Sequence, residues 1–362
     1  IMKISEIMKQ IEEFAPLGLA LSWDNSGLQI GDLNSEVENV YITLDVTSTA
    51  VQKALENGCQ LILSHHPLIF QQLKNITNPL YLEIIKNNLS VISLHTNLDV
   101  AEKSVNHSLA QKLGLEVLGS LSSETGATNY IIVVYCPLED AEKIMHSAWN
   151  AGAGKIGNYY NCANKQESEG YYKASENAKP YKDSGIEGHI AETCLQFCCE
   201  SFHLNDVLNA IRQNHPYETP LIYHYEVANP NPAYGLGLIC KYNAEINLQD
   251  LAILVKERLN CPQVKLWTAS FDLHKNINRI AICGGSGSSL ISAAQKTADV
   301  LITGDISYHG FLESKIPLID AGHFYTEYPA LQLLADFVNK LQLHPFLMPQ
   351  NEHLYTQHLL II

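Results

Sequence analysis

From residue 40 onward, short apolar runs alternate with helix-patterned segments, and this rhythm constrains the fold more than any other feature of the chain. VYITLD (40–45), LILSHH (61–66) and SVISLH (90–95) are strand candidates. Helical patterns follow each of them, through Val51 and Leu55, around 80–86, and from Ala101 to Leu113. Strand, helix, strand at this spacing predicts βαβ units and a parallel sheet covered by helices. The rhythm returns late, in RIAICGG (279–285), VLITGD (300–305) and PLIDAGH (317–323).

Between the two halves the order changes. TNYIIVVYC (128–136) leads to a helix over 138–151, a Gly- and Tyr-rich stretch (152–188), and AETCLQFCC (191–199). A helix from Leu204 to Asn214 and the run PLIYHYEVA (220–228) complete it. Strand, helix, strands, helix, strand fits a ferredoxin-like α+β unit. Ser/Thr/Gly-rich 119–127 and NPNPAYG (229–235) read as linkers around it. The length of 362 residues, at roughly 150 per domain, agrees with two domains. The expectation is therefore an α/β domain with a parallel-rich sheet flanked by helices, built from 1–125 and 231–362. A smaller α+β domain at 126–230 is inserted into it.

Lys and Arg total 23 against 38 Asp and Glu, a formal charge of −15 with no basic run, which argues against a nucleic-acid partner. Ile4, Ile7, Met8, Ile11 and Phe14 lie at helical spacing between charges, an amphipathic helix rather than a signal peptide. No apolar stretch reaches the ~18 residues of a spanning helix, so no membrane partner is expected. Nine cysteines without a CxxC pair read as reduced core residues of a cytoplasmic protein.

In open α/β sheets, ligand sites gather at the carboxyl ends of strands. One strand ends in His65-His66-Pro67, the next in His95-Thr96-Asn97-Leu98-Asp99, and a late one in Gly322-His323 with Glu327 four residues on. Adjacent residues within a strand face opposite ways, but Pro67 stops the strand at once. His65 and His66 can then reach two neighbouring metal ions from a turning backbone. His323 and Glu327 face one point if they lie one helical turn apart, or across a junction capped by Thr326. Three histidines and two carboxylates suit two borderline metals, one carboxylate bridging. A single strand-end histidine is more often a structural hydrogen-bonder; the coincidence of three motifs favours metal. GGSGSS (284–289) reads equally as an anion cradle or a tight turn. Asp305 and His309 are candidates for supporting or acid/base roles, with helix capping an equal explanation of Asp305.

SWDNSGLQIGD (22–32), LSHHPLIF (63–70), LHTNLD (94–99), LITGD (301–305) and GHFYTEYPAL (322–331) together resemble the GTP cyclohydrolase 1 type 2 family, the Nif-three-like proteins. The segment containing HPYETP (215–220) resembles the CutA/PII-like insert of that family's longer members. The resemblance implies a toroidal homohexamer with a dinuclear site of zinc, iron or manganese. In it His65 and Asp99 match the ligands of one metal, His66 and His323 those of the second, and Glu327 the bridge. It implies hydrolysis of GTP to 7,8-dihydroneopterin triphosphate and formate, with His95, Asp305 or His309 to move protons. Two alternatives from the residues are a dinuclear phosphoesterase or nucleotidase, and a non-catalytic metal-binding regulatory or scaffold ring.

Overall fold

A computed structural model describes residues 1–122, 128–181, 187–227 and 234–359. The chain divides into two compact units, Ile1–Gly126 with Pro232–Ile362, and Ala127–Asn231.

The larger unit is a mixed α/β structure with two large sheets and a two-stranded antiparallel pair, Met2–Lys3 with Glu36–Val37. The first runs His344–Leu347, Asn39–Thr43, Leu61–Ser64, Ser90–Ser93, Gly27–Ile30, parallel except at its last junction. Leu61–Ser64 and Ser90–Ser93 are buried at every residue, which is why they read as continuous apolar runs. Pro345 is tolerated because its strand lies at the sheet edge, where a missing N–H breaks no second ladder.

The second sheet runs Lys265–Trp267, Leu318–Asp320, Val300–Gly304, Ile280–Ser286, Leu236–Tyr242, Leu115–Ser122. Only its two junctions around Val300–Gly304 are parallel; the other three are antiparallel. The expected single parallel-rich sheet is thus corrected to two large sheets, both mixed, of which only the first is mostly parallel. The βαβ pattern marks parallel neighbours only, and strands such as Leu236–Tyr242 join antiparallel without that signature.

Two local expectations also change. Residues 119–122, read as linker, continue the strand Leu115–Ser122, while 123–127 and most of NPNPAYG lie outside the described residues. The helix expected from Ala101 to Leu113 starts only at Val105, with a capping box at Ser104, and a separate short helix, Thr96–Val100, precedes it.

In the smaller unit the helices Ala141–Asn150 and Leu204–Asn214 accompany four antiparallel strands. The order is Ile222–Val227, Asn129–Pro137, Glu187–Glu200, Asn164–Lys173. Ile132, Val134, Leu195 and Phe197 from the sheet pack with Ile144, Val207 and Ile211 from the helices in a core of its own. All nine cysteines are free and seven are buried. No helix among the described residues is long and apolar enough to cross a membrane.

Candidate metal centre

The strands' carboxyl ends supply most of the site in the larger unit. Leu61–Ser64 ends before His65, whose N–H bonds Thr43 O at 3.1 Å, while that of His66 bonds Leu44 O at 2.9 Å. These bonds carry the neighbouring strand's pairing past the strand end and hold both residues as the backbone turns into Pro67. His323 opens the helix His323–Glu327, so histidine and glutamate lie one turn apart and Thr326 is inside the helix, not its cap. Asp99 sits on the helix Thr96–Val100.

Glu327 is the centre of the arrangement. It is 4% exposed; its Oε2 lies 3.0 Å from both His66 Nε2 and His323 Nε2, and its Oε1 3.6 Å from His65 Nε2. Asp99 Oδ1 is 3.8 Å from His65 Nε2. Candidate ligand atoms of His65, His66 and Glu327 all lie within 4.8 Å of one another. Each imidazole is oriented through its other nitrogen: His65 Nδ1 on Leu94 O at 2.8 Å, His66 Nδ1 on Asp45 at 2.8 Å, His323 Nδ1 on Asp305 at 2.6 Å. Fixing one ring nitrogen aims the other, which is how metal-binding histidines are held.

The residues fit a cation on an observation of their own. His65 is fully buried and its Nε2 has no hydrogen-bond partner. A buried orphaned nitrogen facing two carboxylates is costly unless something positive or protonated lies between. Burial alone would lower the pKa of His66 and His323, but hydrogen bonds to carboxylates outweigh it: Asp45 and Glu327 push His66 up to about 10, Glu327 and Asp305 push His323 up to about 9. Burial acts against the Glu327 charge, yet the surrounding histidines hold its carboxyl well below the usual range. Asp99 moves the other way because burial dominates there. This is a pocket of negative charge that takes up positive charge.

The other candidates divide. Asp305 supports His323, with its own backbone at φ 54°, and the following helix is capped by Ser307 instead. His309 lies exposed on the helix Tyr308–Glu313 and contacts Tyr308, so the structure gives it no role at the cluster. His95 lies 5.4 Å from His65, ring to ring, its Nδ1 2.8 Å from Asp24. The first two glycines of GGSGSS have their N–H groups committed within the protein: Gly284 donates to Asn106 Oδ1 at 2.8 Å and Gly285 to Thr326 Oγ1 at 2.9 Å. They allow close approach instead, since a Cβ at Gly285, at φ 65°, would run into Glu327 Oε1 and stand 3.2 Å from His323 Nε2. Sequence reasoning missed Asp45 and Asp24. Asp45 ends a strand candidate as the histidines do, and that shared position was the available signal.

Comparison with known proteins places this geometry in context. The family described as Duf34/NIF3 (NGG1p interacting factor 3) matches residues 2–350. A Staphylococcus epidermidis protein named GTP cyclohydrolase 1 type 2 homolog is 37% identical over 349 residues, 94% of this chain and 93% of its own length. A Halalkalibacterium halodurans protein of the same name is 33% identical over 328 residues, 88% of this chain and 87% of its own. Among solved structures, a Bacillus cereus protein related to NIF3 superposes with a TM-score of 0.80 at 30% identity, covering 100% of both chains. A Staphylococcus aureus protein does so with 0.75 at 30% identity, over 100% of this chain and 99% of its own.

Proposed function

The chain belongs to the Duf34/NIF3 family, and from that premise we propose that it is a dinuclear metal-dependent hydrolase of the GTP cyclohydrolase type. The reaction would convert GTP to 7,8-dihydroneopterin triphosphate and formate. The observation that carries the reading is the Glu327 carboxylate set among the Nε2 atoms of His65, His66 and His323. The relatives' names supply the substrate class.

His65 and Asp99 would hold one divalent ion, His66 and His323 the other, with Glu327 shared between them. Zinc, iron or manganese all suit mixed nitrogen and oxygen donors. Such ions supply Lewis acidity and activate water for hydrolysis. Asp45 and Asp305 keep the Nε2 atoms of His66 and His323 aimed inward by accepting from Nδ1. His95, its Nδ1 committed to Asp24, would use Nε2 to hold or move a proton at the substrate. The inserted unit is read as PII/CutA-like on its strand order, and the assembly as a toroidal homohexamer. Nine free cysteines favour a reducing compartment, the cytoplasm.

Incubating metal-loaded protein with GTP and following formate, pterin fluorescence and inorganic phosphate tests the proposal. Formate with pterin is the expected result. Phosphate alone would replace it with a phosphoesterase, and neither product with metal bound would leave a regulatory ring. Glu327→Ala should remove the products and lower metal content by at least one ion per chain; full turnover in that variant would refute the shared carboxylate.

A further inference from the structure

Beside the metal centre, the larger unit carries two large aromatic side chains that remain half exposed. Trp23 is 55% and Phe70 51% exposed, and their ring centroids lie 5.8 Å apart with planes inclined by 39°. Trp23 also meets His95 edge-on at 5.9 Å. His95 in turn stands 5.4 Å from His65 and 5.8 Å from His66. A run of rings thus connects the solvent-facing pair to the candidate ligands.

Single exposed aromatics are ordinary surface features. These two are held by a built scaffold. Asp24, adjacent to Trp23, has a fully buried side chain. Its carboxylate accepts from Thr96 N at 3.0 Å, Ser26 Oγ at 2.9 Å, His95 Nδ1 at 2.8 Å and the Thr96 hydroxyl. Those bonds fix the backbone beside Trp23 and orient His95 at the same time. Phe70 is anchored through its neighbour Ile69, whose N–H donates to Gln29 Oε1 at 3.1 Å and whose carbonyl accepts from Asn25 Nδ2. Asn25 and Gln29 also bond each other at 3.2 Å. Both rings therefore project from pinned backbone, so a ligand stacking on them orders little that is not ordered already.

We propose that Trp23, Phe70 and His95 form a subsite for the planar heteroaromatic base of the substrate. The base stacks against the aromatic faces, and His95 Nε2 exchanges a hydrogen bond with a ring nitrogen or exocyclic group. A purine presents both a π-face and polar edges, whereas a ribose or a phosphate has no π-face. Stacking is also indifferent to the formal charge of −15, which opposes anionic ligands elsewhere on the surface. This inference rests on the nucleotide hydrolase proposed above and names the part of the substrate that is gripped.

The test is calorimetric titration of the zinc-loaded full chain with guanosine and, separately, with ribose 5-phosphate. Wild type should bind guanosine, and Trp23→Ala and Phe70→Ala should each weaken it by about tenfold. Ribose 5-phosphate binding and zinc content should not change. Phe70→Leu, which keeps apolar bulk without a π-face, should behave as Phe70→Ala. Wild-type guanosine affinity in the variants, or no guanosine binding by the wild type, would overturn the subsite. Formate release from GTP in the same samples separates the two readings. Guanosine binding lost in the variants without formate from wild type keeps the subsite and sinks the cyclohydrolase; formate with unchanged KM in the variants does the reverse.

Discussion

At Glu327 three imidazoles converge on one carboxylate, and protons decide how strongly. His66, raised to about 10, and His323, raised to about 9, are both protonated at neutral pH in the metal-free protein. Their folded pKa values lie above the ordinary imidazole value of 6.5. The stability they contribute without metal is therefore full below about 6.5 and lost as pH rises through 9 to 10. A cation competes with the same protons, so metal affinity has the opposite slope and climbs over that window. Zinc titrations at pH 7 in buffers of different ionisation enthalpy should show about two protons released per chain; zero release would mean these imidazoles do not take up the ion. Asp45→Asn weakens the acceptor on His66 Nδ1 without emptying the space, and should cost about 10- to 100-fold in zinc affinity, read by competition with a chelating dye. The same chelator assay on the wild type gives the reference.

Among the elements, the short helix His323–Glu327 is stitched to the glycine-rich strand end by one hydroxyl. Thr326 Oγ1 accepts from Gly285 N and donates back to carbonyls of Gly322 and His323. Thr326 is fully buried, so Thr326→Val leaves the Gly285 N–H without an acceptor at a cost of about 1–3 kcal/mol. At about 2–4 °C per kcal/mol for a domain of this size, a thermal melt should show a clear drop; an unchanged melting temperature would mean water replaces the hydroxyl. This link also explains what sequence could and could not deliver. Pro67 and the strand-end histidines were legible because proline and β-periodicity act locally. The glycines were not: a Gly-Gly-Ser-Gly run reads alike whether it cradles an anion or admits a carboxylate. Only the distant Glu327, packed against Gly285, decides between them. The start of the helix to Leu113 at Val105, not Ala101, was hidden for a related reason, since Ser104 is tolerated inside a helix and its capping role depends on His107. Antiparallel joins such as Leu236–Tyr242 with Leu115–Ser122 span over a hundred residues and leave no local trace.

For the whole molecule, the distribution of candidate ligands and cores makes the two units separable by experiment. His65, His66, Asp99, His323 and Glu327 all belong to the unit formed by Ile1–Gly126 and Pro232–Ile362. That unit closes its own core, in which Ala281, Cys283, Leu301 and Leu318 from one sheet pack with Leu290 and Ile291. The smaller unit, Ala127–Asn231, buries Ile132, Val134, Leu195 and Phe197 with its two helices and has none of the five. A ligand stabilises only the cooperative unit that binds it, by about 2.7 kcal/mol at a hundredfold excess over Kd. Scanning calorimetry of the zinc-loaded chain should therefore resolve two transitions, of which removing zinc with a chelator lowers one and leaves the other in place. A single transition that moves as a whole would show that the insert unfolds only with its host, and that its core does not suffice to make it an independent cooperative unit.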